Sequence, residues 1–198
     1  MKKLLEMTDE ELALAYADGN NKAFDLLLSR NQSKLFSYIL FVVRDREKAE
    51  DVFQETFVKV ISKLQQGRYT TTGKFGAWLV RIAHNVIMDS YRERRTEKII
   101  EPADNNDLSN LGNDEILDTN IECKYVNDQV MLDVKKIMNL LPTPQREVVY
   151  MRYYQQLSFK EIAECTNVSI NTALGRMRYA ILNMRRMARN HELQLELY

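Results

Sequence analysis

Five arginines, Arg176, Arg178, Arg185, Arg186 and Arg189, crowd one stretch near the end of the chain, and no acidic residue stands between Glu164 and Glu192. A helix of one sign draws phosphate, because each cation set against a nucleic acid releases condensed counterions. Just upstream, "LSFKEIAECTNVSINTALGRMRYA", residues 157–180, reads as two helices with a tight corner. Ser158 followed by Glu161 is a capping-box pattern. Asn167 suits the corner, since asparagine tolerates left-handed backbone better than most residues, and Ser169 can cap the second helix. There Ala173, Met177, Ala180, Ile181 and Met184 recur at helical spacing and face a core. Asn171, Thr172, Arg176 and Tyr179 fall off that stripe. The pattern matches a helix-turn-helix, with Asn171 and Arg176 as base-edge readers and Arg178 and Arg185 as phosphate contacts. An ordinary helical hairpin with a solvated face is the plain alternative, and the one-signed charge weighs against it.

A second chemistry-bearing stretch is "KFGAWLVRIAHNVIMDSYRERR". It holds the single tryptophan, Trp78, near Arg81, His84 and Asn85, and ends in Arg92, Arg94 and Arg95. Basic and aromatic side chains together hold unstacked bases by stacking and by polar contacts to their edges. Trp78 as a core residue, with arginines favoured at a helix C-terminus, explains the same residues. A third stretch, "EKAEDVFQETFVKV", carries Glu47, Glu50, Asp51, Gln54 and Glu55 off its apolar stripe. This is either a solvated acidic face or a surface for a partner with basic or amide-rich chemistry.

Enzyme chemistry finds little support. The two histidines, His84 and His191, lack metal-ligand spacing, and no glycine-rich phosphate loop or nucleophile–base pair occurs. Neither a catalytic residue, a metal, a cofactor nor a small-molecule substrate is expected. Cys123 and Cys165 form no ligand pattern and suit a reducing compartment. No apolar run approaches transmembrane length, and "MKKLLEMTDEELALAYADG" turns acidic too early for a signal peptide. A cytoplasmic protein with no membrane insertion is expected.

Several elements must position these residues. Only six glycines and three prolines punctuate 198 residues, and long segments carry helical periodicity, so the expected fold is all-α. Thr8 and Glu11 form a capping box for a short helix to about Asp18; a longer helix starts at Asn21 or Lys22; Asp45 caps a third, with Ala49, Val52, Phe53, Phe57, Val60, Ile61 and Leu64 inward. The loop "QQGRYTTTGK" precedes the tryptophan helix. The zero net charge divides unevenly: residues 1–100 hold 17 basic against 14 acidic side chains, residues 101–130 one against eight, and residues 131–198 ten against six. The expected organisation is a helical domain over 1–97, a flexible acidic linker over 98–129, and a small helical domain over 130–198 containing the helix-turn-helix. In the last, Pro142 and Pro144 end one helix and start the next.

Four segments in this order, "AFDLLLSRNQSKLFSYI", "AEDVFQETFVKV", "FGAWLVRIAHNVIMDSYRERR" and "LLPTPQREVVYMRYYQQLSFKEIAECTNVSINTALGRMRYAILNMRR", resemble bacterial RNA polymerase sigma factors of the extracytoplasmic-function type, within the sigma-70 family. The resemblance spans nearly the whole chain except the linker and tail. It implies that the first domain corresponds to sigma region 2. Asp51, Gln54 and Glu55 would dock on the polymerase's largest subunit. The loop from Gln65 to Lys74, with Trp78, Arg81, Asn85 and Arg92, would open and hold the minus-ten promoter element. The second domain corresponds to sigma region 4, whose Ser169, Asn171, Thr172, Arg176 and Arg178 would read the minus-thirty-five element. Core RNA polymerase, promoter DNA and an anti-sigma factor are the implied partners. The chain departs from the family pattern at Leu174 and Tyr179, where basic residues are usual, at Gly175, where serine is frequent, and at Asn167, which replaces the corner glycine. A two-domain DNA-binding regulator outside polymerase would instead dimerise on a palindromic site. A sigma-like adaptor that binds protein alone is the third reading.

Overall fold

The computed structural model describes residues 3–69, 74–100 and 134–190. These residues are helical throughout, apart from turns and short connections. After a 3-10 turn at Leu4–Glu6 come α1 (Asp9–Ala17), α2 (Asn21–Val43), α3 (Arg46–Gln65) and α4 (Phe75–Ile100). Next are α5 (residues 134–140), α6 (Thr143–Tyr153), α7 (Phe159–Cys165) and α8 (Ile170–Asn190).

The boundaries follow local chemistry. Thr8 and Glu11 form a reciprocal capping box at the start of α1, and Ser158 and Glu161 do the same for α7. The Asp45 side chain accepts from the backbone N–H of Lys48 at the start of α3, and Ser169 accepts from that of Thr172 in α8. Pro144 lies in the first turn of α6, where its missing N–H costs nothing. The corner between α7 and α8 is left-handed at Asn167, φ 52°, as the sequence leads one to expect.

In the first half, Leu12, Leu27, Leu35, Ile39, Val60, Leu64, Phe75 and Ile87 are buried between α1, α2, α3 and α4. Each such side chain contributes about 1.5–3 kcal/mol through loss of apolar surface to water. In the second half, Val148, Met151, Leu157, Ile162, Ala173, Met177 and Ala180 fill the space between α6, α7 and α8. The two cores are continuous: α6 packs on α2 and α7 on α4. Tyr150 of α6 stands against Phe41 and Tyr38 of α2, with ring centroids 4.7 and 5.9 Å apart. The acidic linker expected over 98–129 lies outside the described residues from 101 onward, as does the tail from 191.

Candidate polymerase and nucleic-acid interfaces

On α3 the inner stripe Ala49, Val52, Val60 and Leu64 is buried, so the helix must turn its acidic residues outward. Asp51, Gln54 and Glu55 are all exposed. Glu55 pairs with Lys59 one turn on, at 2.7 Å, a solvated pair that holds little energy. A shallow groove lined by Gln32, Ser33, Phe36, Glu50, Phe53 and Gln54 runs between α2 and α3 beside this face. Phe36 and Phe53 meet edge to face in its floor, centroids 5.6 Å apart. The acidic face is legible in the sequence. The aromatic floor is not, because Phe53 belongs by spacing to the core stripe and only the packing leaves it half-buried.

α4 begins where the backbone N–H of Phe75 donates to Glu10 Oε1 of α1 at 3.0 Å. That hydrogen bond is the largest influence on Glu10 and holds its carboxyl below the usual range. Trp78, Arg81, Asn85 and Arg92 are spaced three, four and seven residues apart and share one stripe of α4. Arg81, Asn85 and Arg92 are exposed. Arg92 reaches Asp89 at 3.0 Å. Trp78 is half-buried in an aromatic cluster, 4.9 Å from the Tyr69 ring and 5.6 Å from that of Phe75. The core explanation of Trp78 therefore holds for part of its surface, and the rest adjoins the exposed polar stripe. Burial pushes the Tyr69 phenol up to about 12. Of the preceding loop, residues 70–73 lie outside the described residues.

On α8, Ala173, Met177 and Ala180 are buried and Ile181 and Met184 partly so. Asn171, Thr172, Arg178, Tyr179, Arg185 and Arg186 are exposed. Ser169 Oγ, at the cap, also lies 2.8 Å from Thr172 Oγ1, so part of the hydrogen-bonding capacity of both is used locally. Arg176 is half-buried on the flank nearer the core, whereas Arg178 stands on the exposed side one turn or two beyond Asn171 and Leu174. The geometry thus favours Arg178 over Arg176 for reaching into a groove.

A further group was not singled out by the sequence. Glu147 of α6 accepts a hydrogen bond from Tyr38 Oη of α2 at 2.5 Å and lies 2.7 Å from His84 Nδ1 of α4. Its neighbour Arg146 donates to the backbone carbonyl of Val42 at 3.1 Å and sits 5.6 Å above the Phe41 ring. Burial pulls the Arg146 guanidinium down to about 10. Cys165 Sγ of α7 donates to the carbonyl of Ala77 at 3.3 Å, and Gln155 donates to that of Lys34 at 3.3 Å. These contacts fasten the helix-turn-helix half to the half that carries the acidic face and the Asn85 stripe. The only sequence signal was a lone histidine amid apolar neighbours, which fits many buried histidines equally well.

Family models for "Sigma-70 region 2" and "Sigma-70, region 4" match residues 27–97 and 131–176. The chain is 27% identical over 176 residues to the RNA polymerase sigma-H factor of Pseudomonas aeruginosa, covering 88% of this chain and 90% of that one. It is 28% identical over 177 residues to the ECF RNA polymerase sigma-E factor of Haemophilus influenzae, covering 87% and 90%. Among solved structures, the fold is similar to that of the sigma factor RpoE of Bartonella quintana in complex with the anti-sigma factor NepR, with TM-score 0.65, 21% identity, and coverage of 85% and 98%. It is also similar to CnrH in complex with the cytosolic domain of CnrY, with TM-score 0.62, 24% identity, and coverage of 92% and 97%. Both sigma regions, in order and on one all-helical fold, place the chain in the sigma-70 family, among the RNA polymerase sigma factors of the extracytoplasmic-function type.

Proposed function

We infer that this chain is a transcription initiation factor that binds core RNA polymerase, directs it to promoters and helps melt the minus-ten region. The observation that carries this is the pairing of the two sigma-70 regions in one chain. A regulator acting outside polymerase has no use for region 2, so that alternative is not favoured. We assign polymerase docking to Asp51, Gln54 and Glu55 with the adjoining Phe36–Phe53 groove. Capture of the minus-ten strand goes to Asn85, Arg81 and Arg92, with the free part of Trp78. Reading of the minus-thirty-five duplex goes to α8 from its Ser169 cap through Asn171, Thr172, Arg176 and Arg178. No catalytic step is assigned to any residue.

By their numbering, positions minus ten and minus thirty-five lie about 25 base pairs apart, or about 85 Å along B-form DNA at about 3.4 Å per base pair. Here α7 packs directly on α4 and α6 on α2. The two halves must therefore part when both elements are held at once. The packed arrangement suits a stored state, and an anti-sigma factor is the partner we propose to hold it; of the solved relatives described above, RpoE is in complex with the anti-sigma factor NepR. No helix among the described residues is long and apolar enough to cross a membrane, and we place the protein's action with polymerase in the cytoplasm. Run-off transcription tests the reading. Core polymerase should initiate from a cognate promoter only when this chain is added, and initiation that is indifferent to it would overturn the assignment.

A further inference from the structure

The exposed side of α8 is not wholly polar. Ile170 and Leu174, one turn apart, are 47% and 43% exposed, while the inner stripe of the helix is already filled by Ala173, Met177 and Ala180. Leu174 stands one turn before Arg178 and three residues after Asn171, both exposed. Beside it, a Cβ added at Gly175 would meet nothing within 4 Å, so the helix backbone there is open to close approach. No acidic residue occurs anywhere on α8, so the aliphatic pair lies in a surface suited to a polyanion.

An aliphatic side chain has no polar atom with which to read donors and acceptors. In the major groove, the one apolar feature a base edge offers is the C5-methyl group of thymine. We propose that Leu174, with Ile170 one turn before it, reads thymine methyl groups in the minus-thirty-five element. Asn171 and Arg178 take the neighbouring base edges and phosphates. This rests on the reading of α8 as the helix that enters the major groove, and it assigns specificity to a position where the family usually carries a basic residue. Leucine there discriminates thymine from cytosine by contact, at the cost of one phosphate or guanine contact.

The test uses the full chain bound to core polymerase. The preferred minus-thirty-five sequence is first selected from a duplex pool randomised at that element. Each thymine in it is then replaced singly by deoxyuridine, which removes the methyl group and leaves base pairing intact. At one or two positions affinity should fall about fourfold, the value of one buried methyl group. Leu174→Ala should bind the thymine and deoxyuridine duplexes alike at the position Leu174 reads, and Leu174→Met should restore the difference. Leu174 is exposed, so these variants leave the core intact. Selected sites at which no deoxyuridine weakens binding, or a penalty that persists unchanged in Leu174→Ala, would overturn the proposal while leaving α8 as a DNA reader. Failure to enrich any minus-thirty-five sequence would overturn that underlying reading and the proposal together.

Discussion

Glu147 of α6 lies 2.7 Å from His84 of α4, and the two residues are only 2% and 6% exposed. The same carboxyl oxygen accepts from Tyr38 of α2. Burial, reinforced by Glu147, pushes the Tyr38 phenol well above its ordinary value, so it remains a donor. One residue thus joins two helices of region 2 to the first long helix of region 4. Glu147→Ala leaves a phenol and an imidazole nitrogen without partners in a dry site, at about 1–3 kcal/mol for each. A lower Tm and a less cooperative melt are expected, while Glu147→Gln, which keeps an acceptor, should fall between.

Cys165 reports on the same interface. Burial pushes its thiol up to about 12, and Sγ faces the carbonyl of Ala77 across the contact. A thiol reacts as its thiolate, so alkylation of the folded chain should be slow. It should quicken when core polymerase is added and in Glu147→Ala, as the halves part. Mass spectrometry of digested peptides separates this thiol from Cys123. A Cys165 rate that neither polymerase nor Glu147→Ala changes would contradict separation of the halves.

On α3, Asp51→Lys or Glu55→Lys should weaken core binding by about 2–5 kcal/mol if either carboxylate faces a cation on polymerase. The Glu55–Lys59 pair at 2.7 Å is a solvated one-turn pair worth about 0.3–0.5 kcal/mol, so its loss should not disturb the helix. Titration of labelled chain against core polymerase, beside circular dichroism, measures both. Wild-type affinity in the two reversals would remove this face from the interface.

Along the α4 stripe, Asn85 and Trp78 should separate function from stability. Asn85 is exposed, so Asn85→Ala should keep the wild-type Tm yet reduce permanganate reactivity of minus-ten thymines more than it reduces closed-complex affinity. Unstacking a base costs a few kcal/mol, and an amide lost from its edge is one term in recovering that. Trp78 packs on Tyr69 and Phe75, so Trp78→Ala should cost about 2–3 kcal/mol of stability, below the range for a fully buried tryptophan. Equal reactivity in Asn85→Ala and wild type, on both natural and pre-melted promoters, would show that Asn85 does not hold the strand.

Glu10 predicts an acid limb. The backbone N–H of Phe75 holds its carboxyl below the ordinary value of 4.5. A group whose pKa is lowered by folding contributes its stability in full above the unfolded value, and that contribution fades as pH falls through the folded one. Urea unfolding should therefore show a loss between about pH 5 and pH 3 that is smaller in Glu10→Gln. The same slope in both proteins would mean that other carboxylates account for it. Since this hydrogen bond starts α4, the variant should also loosen the turn preceding Trp78.

What the sequence determined by itself is what operates within one or two helical turns. Thr8 with Glu11, Asp45, Ser158 with Glu161, and Ser169 each place a side-chain oxygen within reach of a backbone N–H three residues on. The starts of α1, α3, α7 and α8 were therefore legible before any packing was known. Periodicity likewise set the inner stripes of α3 and α8, and with them the outward turn of Asp51, Glu55 and Asn171. Tertiary structure alone decided the rest. The phase of α8 against α6 and α7 left Arg178 outward and Arg176 half-buried, although both lie off the apolar stripe. Tyr69 and Phe75 claimed part of Trp78. Glu147 met His84 and Tyr38 across 63 and 109 residues. No local periodicity links positions so far apart, because such contacts form only where two complete helices, each folded for its own reasons, are pressed together by the apolar surface they share.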